Sequence, residues 1–518
     1  MSKQKLAQQI AAQIEAYLAA QPACAVMEGG ALLFDLRAAS YSVTEEGGDC
    51  LLHLWSEERN LVRRIAGSEI KAGTLRLAAL RFGSGEAVRL DFCPAGGRCT
   101  PAALRTSRGR HLARLPRLLA RLFPGWTLDA LHAAGPGMPH GNACLCGFLQ
   151  RGLSGWAVTG CCPAEPQATL DESVTTALLW FDHCRKKQEG RRALEGMLLF
   201  LPKGGTAAAQ LRMAHLRKDV GRWRLFAVDE ETEEAVELDP SSAGNLETRL
   251  GRCFDPALTL SRLPESVARI GKVLPQAEAV ALNTAEIEFR LHGLAFARAR
   301  LEASPEGFGL RERLRFGLRP QEQELTPARE AELRLLAARL LEARHRRHHA
   351  NPLYRTQSER WLESVVRANV SLLDGAIDPR WLYAQVPAIA DAGRAMIDLL
   401  GITRAGRLVV IELKAEEDAH LPLQGLDYWA RVDWLQKRGS FAREGYFAGR
   451  EIAEEPPLLL LVAPSLHLHP QVDTVLRYLS PEVDWRVKGL DEHWRDRLRI
   501  VFQKSPAATA ASNETTQE

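Results

Sequence analysis

The sequence lacks any run of about 20 consecutive apolar residues, the length that a helix needs to cross a membrane. It also lacks a strong excess of either charge, since its net charge at pH 7 is +3. Charged and amide side chains interrupt the first 21 residues, so the apolar core of a signal peptide is missing. We therefore expect a cytoplasmic protein without a membrane partner. A content of 46% hydrophobic and 25% charged residues is typical of a folded globular chain.

Cysteine is absent from the second half of the chain, because all ten cysteines lie between Cys24 and Cys253. In a reducing compartment we expect most of them to be thiols. Cysteines cluster at 144–146 and at 161–162, but zinc sites usually contain two Cys-x(2–4)-Cys pairs, which these are not. Buried or surface thiols are therefore favoured over a structural metal.

The small net charge is unevenly distributed along the chain. Residues 1–350 contain 47 Lys and Arg against 40 Asp and Glu, which is a net charge of +7. Residues 351–504 contain 20 against 22, which is a net charge of −2. A basic surface that binds a polyanion is therefore expected in the first two-thirds of the chain.

The order of apolar patterns predicts at least two domains. Helical spacing over residues 1–20, short strand-like runs to about residue 92 and alternating strand and helix patterns beyond them predict a mixed α/β region over residues 1–350. We expect this region to serve recognition or assembly, as one or two subdomains. Its last helix is stopped at Asn351-Pro352, where we place the domain boundary. Residues 505–518 have no apolar period and are expected to be disordered. No internal repeat is evident.

The most informative stretch is RLVVIELKAEEDAHLPLQGLDYW, residues 407–429. Its apolar start predicts a buried strand, yet Glu412 and Lys414 follow on one face, because side chains alternate along a strand. Asp398 interrupts the preceding apolar run, AMIDLLGI, in the same way, and a hairpin-like turn joins the two runs. Charges buried without partners are costly. The pattern therefore favours a functional site, although solvent-facing residues at strand ends are the simpler alternative.

If these two strands pair, Asp398 and Glu412 approach each other and repel unless a cation lies between them. Mg²⁺ prefers carboxylate oxygens and keeps waters for a phosphate substrate. Such an ion makes a nucleophile of a bound water and stabilises a leaving oxygen. Lys414 beside it would position the water or neutralise the transition state. These three residue types are what phosphodiester hydrolysis requires.

Asp398, Glu412 and Lys414 resemble the signature of the PD-(D/E)XK nuclease superfamily. The surrounding patterns also follow the order of that family. They are a helix (SERWLESVVRANV), a strand (WLYAQVPAI), the two strands above, a helix with QGLDY and a strand (PPLLLLVAP). The resemblance covers roughly residues 355–465. It departs from the family pattern at Ile397, where many members have proline.

The resemblance implies a restriction-endonuclease-like αβββαβ core within a domain over residues 351–504. It implies that Asp398 and Glu412 bind Mg²⁺, with Mn²⁺ as a substitute, and that Glu363 is an additional metal ligand. Gln424 and Tyr428 look like the Gln-x-x-x-Tyr motif of the exonuclease-type branch, whose residues contact DNA beside the metal. At i and i+4 they share one helix face.

A basic stripe is predicted on a helix in the first part of the chain. Its residues recur at intervals of three and four, opposite a row of leucines: Arg110, Arg114, Arg117 and Arg121. The stripe would bind the phosphates of a nucleic acid, or it would simply be a solvated helix face. The same two interpretations hold for RHRRHHA at 344–350.

The sequence thus leads to the hypothesis of a metal-dependent nuclease that hydrolyses DNA phosphodiester bonds. The alternative is a catalytically inactive nucleic-acid-binding or scaffold protein built on a nuclease fold. The sequence leaves open whether the substrate is DNA or RNA, whether cleavage starts at ends, and whether the protein is a homodimer.

Overall fold

The computed structural model describes residues 3–21, 24–28, 31–36, 39–46, 48–55, 60–71, 74–81, 86–94, 101–129, 131–133, 143–229, 232–244, 246–303, 309–318, 321–345, 351–390 and 393–506. Most of the predicted disordered tail (507–518) and most of the basic RHRRHHA segment (346–350) lie outside these residues. Within the described part of the chain, no helix is long and apolar enough to cross a membrane.

The chain begins with an antiparallel sheet covered by one helix. Its elements are α1 (Lys3–Ala20), β1 (Cys24–Glu28), β2 (Ala31–Asp35), β3 (Ser40–Glu46), β4 (Asp49–Trp55), β5 (Asn60–Lys71), β6 (Thr74–Arg81) and β7 (Ala87–Pro94). The strands lie in the order β2-β1-β7-β6-β5-β4-β3. Alternate residues of β4, including Leu52 and Leu54, are buried because successive side chains of a strand face opposite sides. This face packs with Ile10 and Ile14 of α1.

The next part, which we call the first α/β unit (residues 101–238), contains a mixed sheet between two helical layers. Its elements are α2 (Pro101–Leu122), β8 (Thr127–Leu128), β9 (His132–Ala133), β10 (Cys144–Arg151), β11 (Ser154–Cys161), α3 (Gln167–Asp171), α4 (Ser173–Gln188), β12 (Ala193–Pro202), α5 (Ala207–Ala214), β13 (Arg222–Val228) and β14 (Ala235–Leu238). The strand order is β8-β10-β11-β12-β13-β14, with β9 also paired to β10. Helix α2 packs on one face and α4 on the other.

A five-stranded antiparallel meander and its helices follow. The elements are β15 (Thr248–Leu250), α6 (Pro256–Ser261), α7 (Pro264–Val273), β16 (Glu278–Asn283), β17 (Glu286–Leu291), β18 (Leu294–Ala303), β19 (Leu310–Phe316), β20 (Gln323–Glu324) and α8 (Glu330–Ala343). Strands β16 to β20 pair in chain order. Apolar residues of α7 and α8, such as Ile270 and Leu333, cover one face of this sheet.

The last part contains the second α/β unit (residues 358–504). Its elements, preceded by α9 (Pro352–Arg355), are α10 (Ser358–Ala368), α11 (Val370–Leu373), β21 (Ile377–Ala390), β22 (Gly393–Thr403), β23 (Leu408–Leu413), α12 (Leu421–Lys437), α13 (Ser440–Arg443), β24 (Leu458–Pro464), α14 (Val472–Leu476), β25 (Trp485–Leu490) and β26 (Ile500–Lys504). The strand order is β21-β22-β23-β24-β25-β26, and β15 pairs with the outer edge of β21.

The predicted mixed α/β class is confirmed. Apart from the one-turn helices α11 and α13, the elements from α10 to β24 follow the order helix, three antiparallel strands, helix and strand, with β24 parallel to β23. This is the order that the apolar patterns predicted. The assignment of these elements to a restriction-endonuclease-like core stays a prediction.

The two α/β units have the same topology, although no repeat is evident in the sequence. In both, strand order follows chain order, three neighbouring strands are parallel (β11-β12-β13 and β23-β24-β25), and the final strand is antiparallel. Helix α4 packs on β11 and β12 as α12 packs on β23 and β24. Helices α2 and α10 occupy the opposite faces of their sheets.

The units pack on each other through equivalent helices. Helix α4 contacts α14, and α12 contacts α5, so each unit presents the same two helices to the other. Just after α5 and α14, Leu216 and Leu479 form an antiparallel bridge. Flanking main-chain hydrogen bonds run from Arg217 N to Tyr478 O at 2.9 Å and from Ser480 N to His215 O at 2.7 Å. Reciprocal contacts of this kind are those of a two-fold axis, so the chain contains an internal pseudo-two-fold dimer.

The apolar core between the units is shared. Leu178 and Leu211 of the first unit belong to the same buried cluster as Leu426 and Val475 of the second. The sheet of the second unit also includes β15, which precedes the predicted boundary. The domain boundary near residue 350 stays a prediction. The shared core suggests a test, because a fragment that begins at this boundary would lose about half of that core.

A fragment of residues 351–506 should unfold at a lower temperature than a fragment of residues 101–506. Without the first α/β unit, α12 and α14 expose the apolar side chains that form the shared core, each contributing roughly 1.5–3 kcal/mol when buried. We expect a difference in Tm of ~10 °C or more by circular dichroism, since about 1 kcal/mol shifts Tm by about 2–4 °C at this size. Equal melting temperatures would mean that the second unit is stable by itself.

Candidate active site

Asp398 and Glu412 face each other across β22 and β23. The register pairs Leu399 with Ile411, and the next residues along these antiparallel strands are Asp398 and Glu412. The main-chain N–H of Leu413 donates to Asp398 Oδ2 at 3.2 Å, which holds the end of β23 against this carboxylate. The two strands therefore bring together the carboxylates that the sequence predicted to be close.

Helix α10 adds a third carboxylate beside this pair. Glu363 is buried, with 4% of its surface exposed, and accepts hydrogen bonds from Arg360 at 2.9 Å and from Gln385 Nε2 at 2.7 Å. Gln385 Nε2 also lies 3.3 Å from Asp398 Oδ1, so it links the two carboxylates. Sequence analysis missed Gln385. Its left-handed backbone (φ 53°) in the middle of β21 has no pattern that a strand prediction recognises.

The carboxylates are held in a setting that disfavours their negative charge. Burial, and then the charge of Glu363, raise the pKa of Asp398 to about 7. Burial, and then the charge of Asp398, raise the pKa of Glu412 well above its ordinary value. Buried like charges have this effect because neither water nor a cation screens them. A bound cation would reverse it.

Lys414 lies at the same end of β23 and is paired on its outer side. Its Nζ is 3.3 Å from Glu359 Oε1 and 3.5 Å from Asp418 Oδ2. Burial opposes the ammonium charge, but the charges of Glu359, Glu412 and Asp418 outweigh it, so that the pKa of Lys414 lies above its ordinary value. The side chain is therefore protonated at neutral pH. Asp418 is one further partner that sequence analysis missed.

Gln424 and Tyr428 lie near the start of α12, one turn apart. Burial, and then the charges of Glu412 and Asp398, raise the pKa of the Tyr428 hydroxyl well above its ordinary value. The Oε1 atom of Gln424 is buried and makes no hydrogen bond in the described part of the chain. The charges of Glu412 and Asp398 thus act on one member of the predicted pair.

The first α/β unit supports the helix that carries these two residues. Arg212 of α5 is 4% exposed and donates to both carboxylate oxygens of Asp427, at 3.0 and 2.8 Å, and to the main-chain oxygen of Asp171. Asp427 directly precedes Tyr428. No local pattern predicts this contact, because 215 residues separate Arg212 from Asp427.

The carboxylates suit a cation, although they do not form a complete coordination shell. Among the described residues, no three His, Cys, Asp or Glu side chains are arranged to hold a metal ion together. However, Glu412 Oε2 is buried without a hydrogen-bond partner in those residues. An unpartnered buried carboxylate oxygen opposite a second carboxylate is costly unless a cation or a proton compensates it. Asp398 and Glu412 therefore fit a hard divalent cation, with Glu363 beside them.

The basic stripe of α2 divides into two pairs. Arg114 Nε lies 2.9 Å from Glu233 Oε1, and Arg121 donates to the main-chain oxygen of Glu233, so both contact the connection between β13 and β14. Arg110 and Arg117 are exposed. The role of the four arginines in substrate binding stays a prediction, and Arg110 and Arg117 are the two exposed members that do not contact Glu233.

Arg344, the first residue of the RHRRHHA segment, has a structural role. It is buried, donates to the main-chain oxygens of Leu353 and Thr356 at 2.6 and 2.9 Å, and lies over the ring of Trp361. Because this side chain is buried, it neither contacts phosphates at a surface nor belongs to a solvated helix face.

Comparison of the chain with models of protein families, with curated proteins and with solved structures finds no match. The class of the protein therefore has to be argued from the geometry of the site.

Proposed function

We propose that the protein is a metal-dependent nuclease of the PD-(D/E)XK type that hydrolyses phosphodiester bonds of nucleic acid, with DNA as the first candidate. The observation that carries this proposal is the pair of carboxylates formed by Asp398 and the buried Glu412, which face each other across two apolar strands with Lys414 at the same end of β23. Hydrophobic residues of similar size would pack beside these apolar strands at no electrostatic cost, so two adjacent carboxylates at this place favour a functional role.

Each residue of the site has a separate role in this proposal. Asp398 and Glu412 would hold Mg²⁺ or Mn²⁺, with Glu363 as an additional ligand oriented by Gln385. When bound, the ion supplies an activated water and stabilises negative charge on the phosphate. The protonated Lys414 would stabilise the developing charge at the phosphate. Gln424, with its unpartnered amide oxygen, and Tyr428 would contact the nucleotide beside the site.

Labelled substrates test this proposal directly. Single-stranded and duplex DNA, branched DNA and RNA would be incubated with the purified protein in Mg²⁺, in Mn²⁺ or in EDTA. We expect cleavage of at least one DNA substrate in either metal and none in EDTA. Binding without cleavage under every condition would contradict the nuclease function.

That result would favour the second candidate, a non-catalytic nucleic-acid-binding or scaffold protein. One observation speaks for it: the ammonium group of Lys414 already has Glu359 and Asp418 as partners at 3.3 and 3.5 Å. A lysine neutralised in this way has less charge available for a phosphate. Glu359 is half exposed, so its side chain can move away when substrate binds. The oligomeric state, a homodimer included, is a separate question that neither candidate decides.

Replacing Arg110 and Arg117 with Gln should weaken DNA binding and reduce its salt dependence. The second α/β unit has little excess positive charge, so we expect phosphate contacts in the first unit. Each lost phosphate contact changes the slope of log K against log salt by about 0.9, so the slope should become shallower by up to about 2. The measurement is a binding titration at several salt concentrations in Asp398→Asn, in which cleavage is blocked.

The matched control replaces Arg334 and Arg339, two exposed arginines on α8, with Gln. It removes the same charge from a different surface. Equal slopes for the two double variants would mean that the stripe on α2 is only a solvated helix face.

A further inference from the structure

The register of the two sheets allows the α/β units to be compared residue by residue. In each unit one row of paired residues crosses four strands and ends on a tryptophan. The rows are Phe148, Ala157, Met197 and Trp223 in the first unit and Leu400, Val410, Leu459 and Trp485 in the second. All eight side chains belong to the shared core. Each row also starts three residues before the end of its first strand, β10 or β22.

This alignment places neutral residues at the three predicted catalytic positions. Counting from the row, Asp398 corresponds to Cys146, Glu412 to Thr159 and Lys414 to Cys161. Cys146 and Thr159 are fully buried, and Cys161 forms a disulfide with Cys144 on the neighbouring strand. None of these groups carries a charge at neutral pH, since burial raises the pKa of the Cys146 thiol to about 12.

The helix beside the site differs in the same way. Helices α4 and α12 start at Ser173 and Leu421, and counting from these residues places Trp180 at the position of Tyr428. Trp180 Nε1 donates to the main-chain oxygen of Gly147 at 2.8 Å, next to Cys146. The indole is therefore held against the main chain next to Cys146, the residue that corresponds to Asp398.

We propose that the chain is an internal dimer of one metal-binding and one blank nuclease-like unit, and that it therefore cuts a single strand of duplex DNA in each encounter. This inference rests on the proposed nuclease function. The two strands of a duplex are related by two-fold symmetry, and a two-fold protein matches it by placing one identical site on each strand. In this chain the pseudo-two-fold axis relates the Asp398–Glu412 pair to Cys146 and Thr159, which offer no carboxylate to a divalent cation.

A supercoiled plasmid distinguishes one cut from two. With plasmid in excess over protein, we expect nicked circles to accumulate first and linear DNA to appear later, from a second encounter. Linear DNA that forms only at high protein concentration would also agree with one centre per chain. Linear DNA that forms from the start at the same rate as nicked circles, at every dilution of the protein, would overturn the proposal.

Counting bound Mn²⁺ by electron paramagnetic resonance tests the single centre without cleavage. We expect tight Mn²⁺ binding to be lost in Asp398→Asn and retained in Thr159→Val, a nearly isosteric change at the equivalent position of Glu412. Mn²⁺ that persists in Asp398→Asn would overturn the proposal. A single Mn²⁺ centre in a protein that cuts no substrate would reject the nuclease function but support the blank unit, and absence of Mn²⁺ binding would overturn both.

Discussion

Asp398→Asn should reduce metal-dependent DNA cleavage by ~10³-fold or more, which corresponds to about 4 kcal/mol of transition-state stabilisation. The amide keeps the size of the side chain and still accepts the hydrogen bond from the main-chain N–H of Leu413. It cannot supply the negative charge that holds a divalent cation. We expect the variant to stay folded, because the substitution also removes the repulsion between Asp398 and Glu412.

Lys414→Met should reduce cleavage by ~10²-fold or more, since a positioned charge at a developing anion is typically worth this much. The matched control is Lys488→Met. Lys488 is another buried lysine of the same sheet, on β25, and its Nζ contacts Gln503 at 2.6 Å. Initial rates with the best substrate, together with circular dichroism of each variant, are the measurements. Full activity in Asp398→Asn, or equal losses in the two lysine variants, would contradict the assignment of the site.

In EDTA, the free energy of unfolding should fall as the pH rises from about 4 to about 7. The ordinary pKa of an aspartate is 3.8, and burial beside Glu363 raises that of Asp398 to about 7. Between these values the folded state holds a proton that the unfolded state has released. Stability is therefore lost with rising pH, at up to about 1.4 kcal/mol per pH unit for one group. For Asp398 alone the loss is at most about 4 kcal/mol. Glu412, whose pKa is also raised by burial and by the charge of Asp398, changes stability in the same direction.

A divalent cation should remove most of this loss, because it binds the ionised carboxylates of the folded state only. Denaturant unfolding at several pH values, with EDTA or with Mn²⁺, measures the effect. Asp398→Asn provides the control, because the difference between the two proteins isolates this carboxyl from all other titratable groups. Parallel curves for the two proteins in EDTA would mean that Asp398 is not buried as an uncompensated acid.

Local patterns in the sequence were sufficient for the main helices and strands from α10 to β24, but not for α14, β25 and β26. The apolar run that contains Leu399 and the run that contains Ile411 are β-strands, and a short turn joins them. Because side chains alternate along strands and hairpin register follows the turn, the approach of Asp398 to Glu412 could be predicted as well. The helical spacing of Gln424 and Tyr428 likewise predicted that they share one face. Whether these residues catalyse a reaction stays a prediction.

Only the tertiary structure showed which residues support the carboxylates and helix α12 at the candidate site. Gln385 joins Glu363 to Asp398 because the backbone of β21 adopts a left-handed conformation at this residue, which its residue type does not indicate. Arg212 reaches Asp427 from a different unit. Such contacts depend on the packing of segments that are distant in the sequence, so the periodicity of apolar residues does not predict them.

The shared topology of the two α/β units could not be predicted from the sequence either. A fold of this kind is maintained by the alternation and burial of apolar side chains, which many different residues satisfy. Phe148 and Leu400 occupy equivalent places, as do Trp180 and Tyr428, without similarity of local sequence. The order of strands and the reciprocal packing of helices reveal the repeat, because topology is retained when residue identities are not. The sequence by itself thus determined the main elements from α10 to β24 and the pairing of two carboxylates. Only the tertiary structure showed that the same strand order and helix packing occur twice, and that neutral residues stand at the corresponding positions of the first unit.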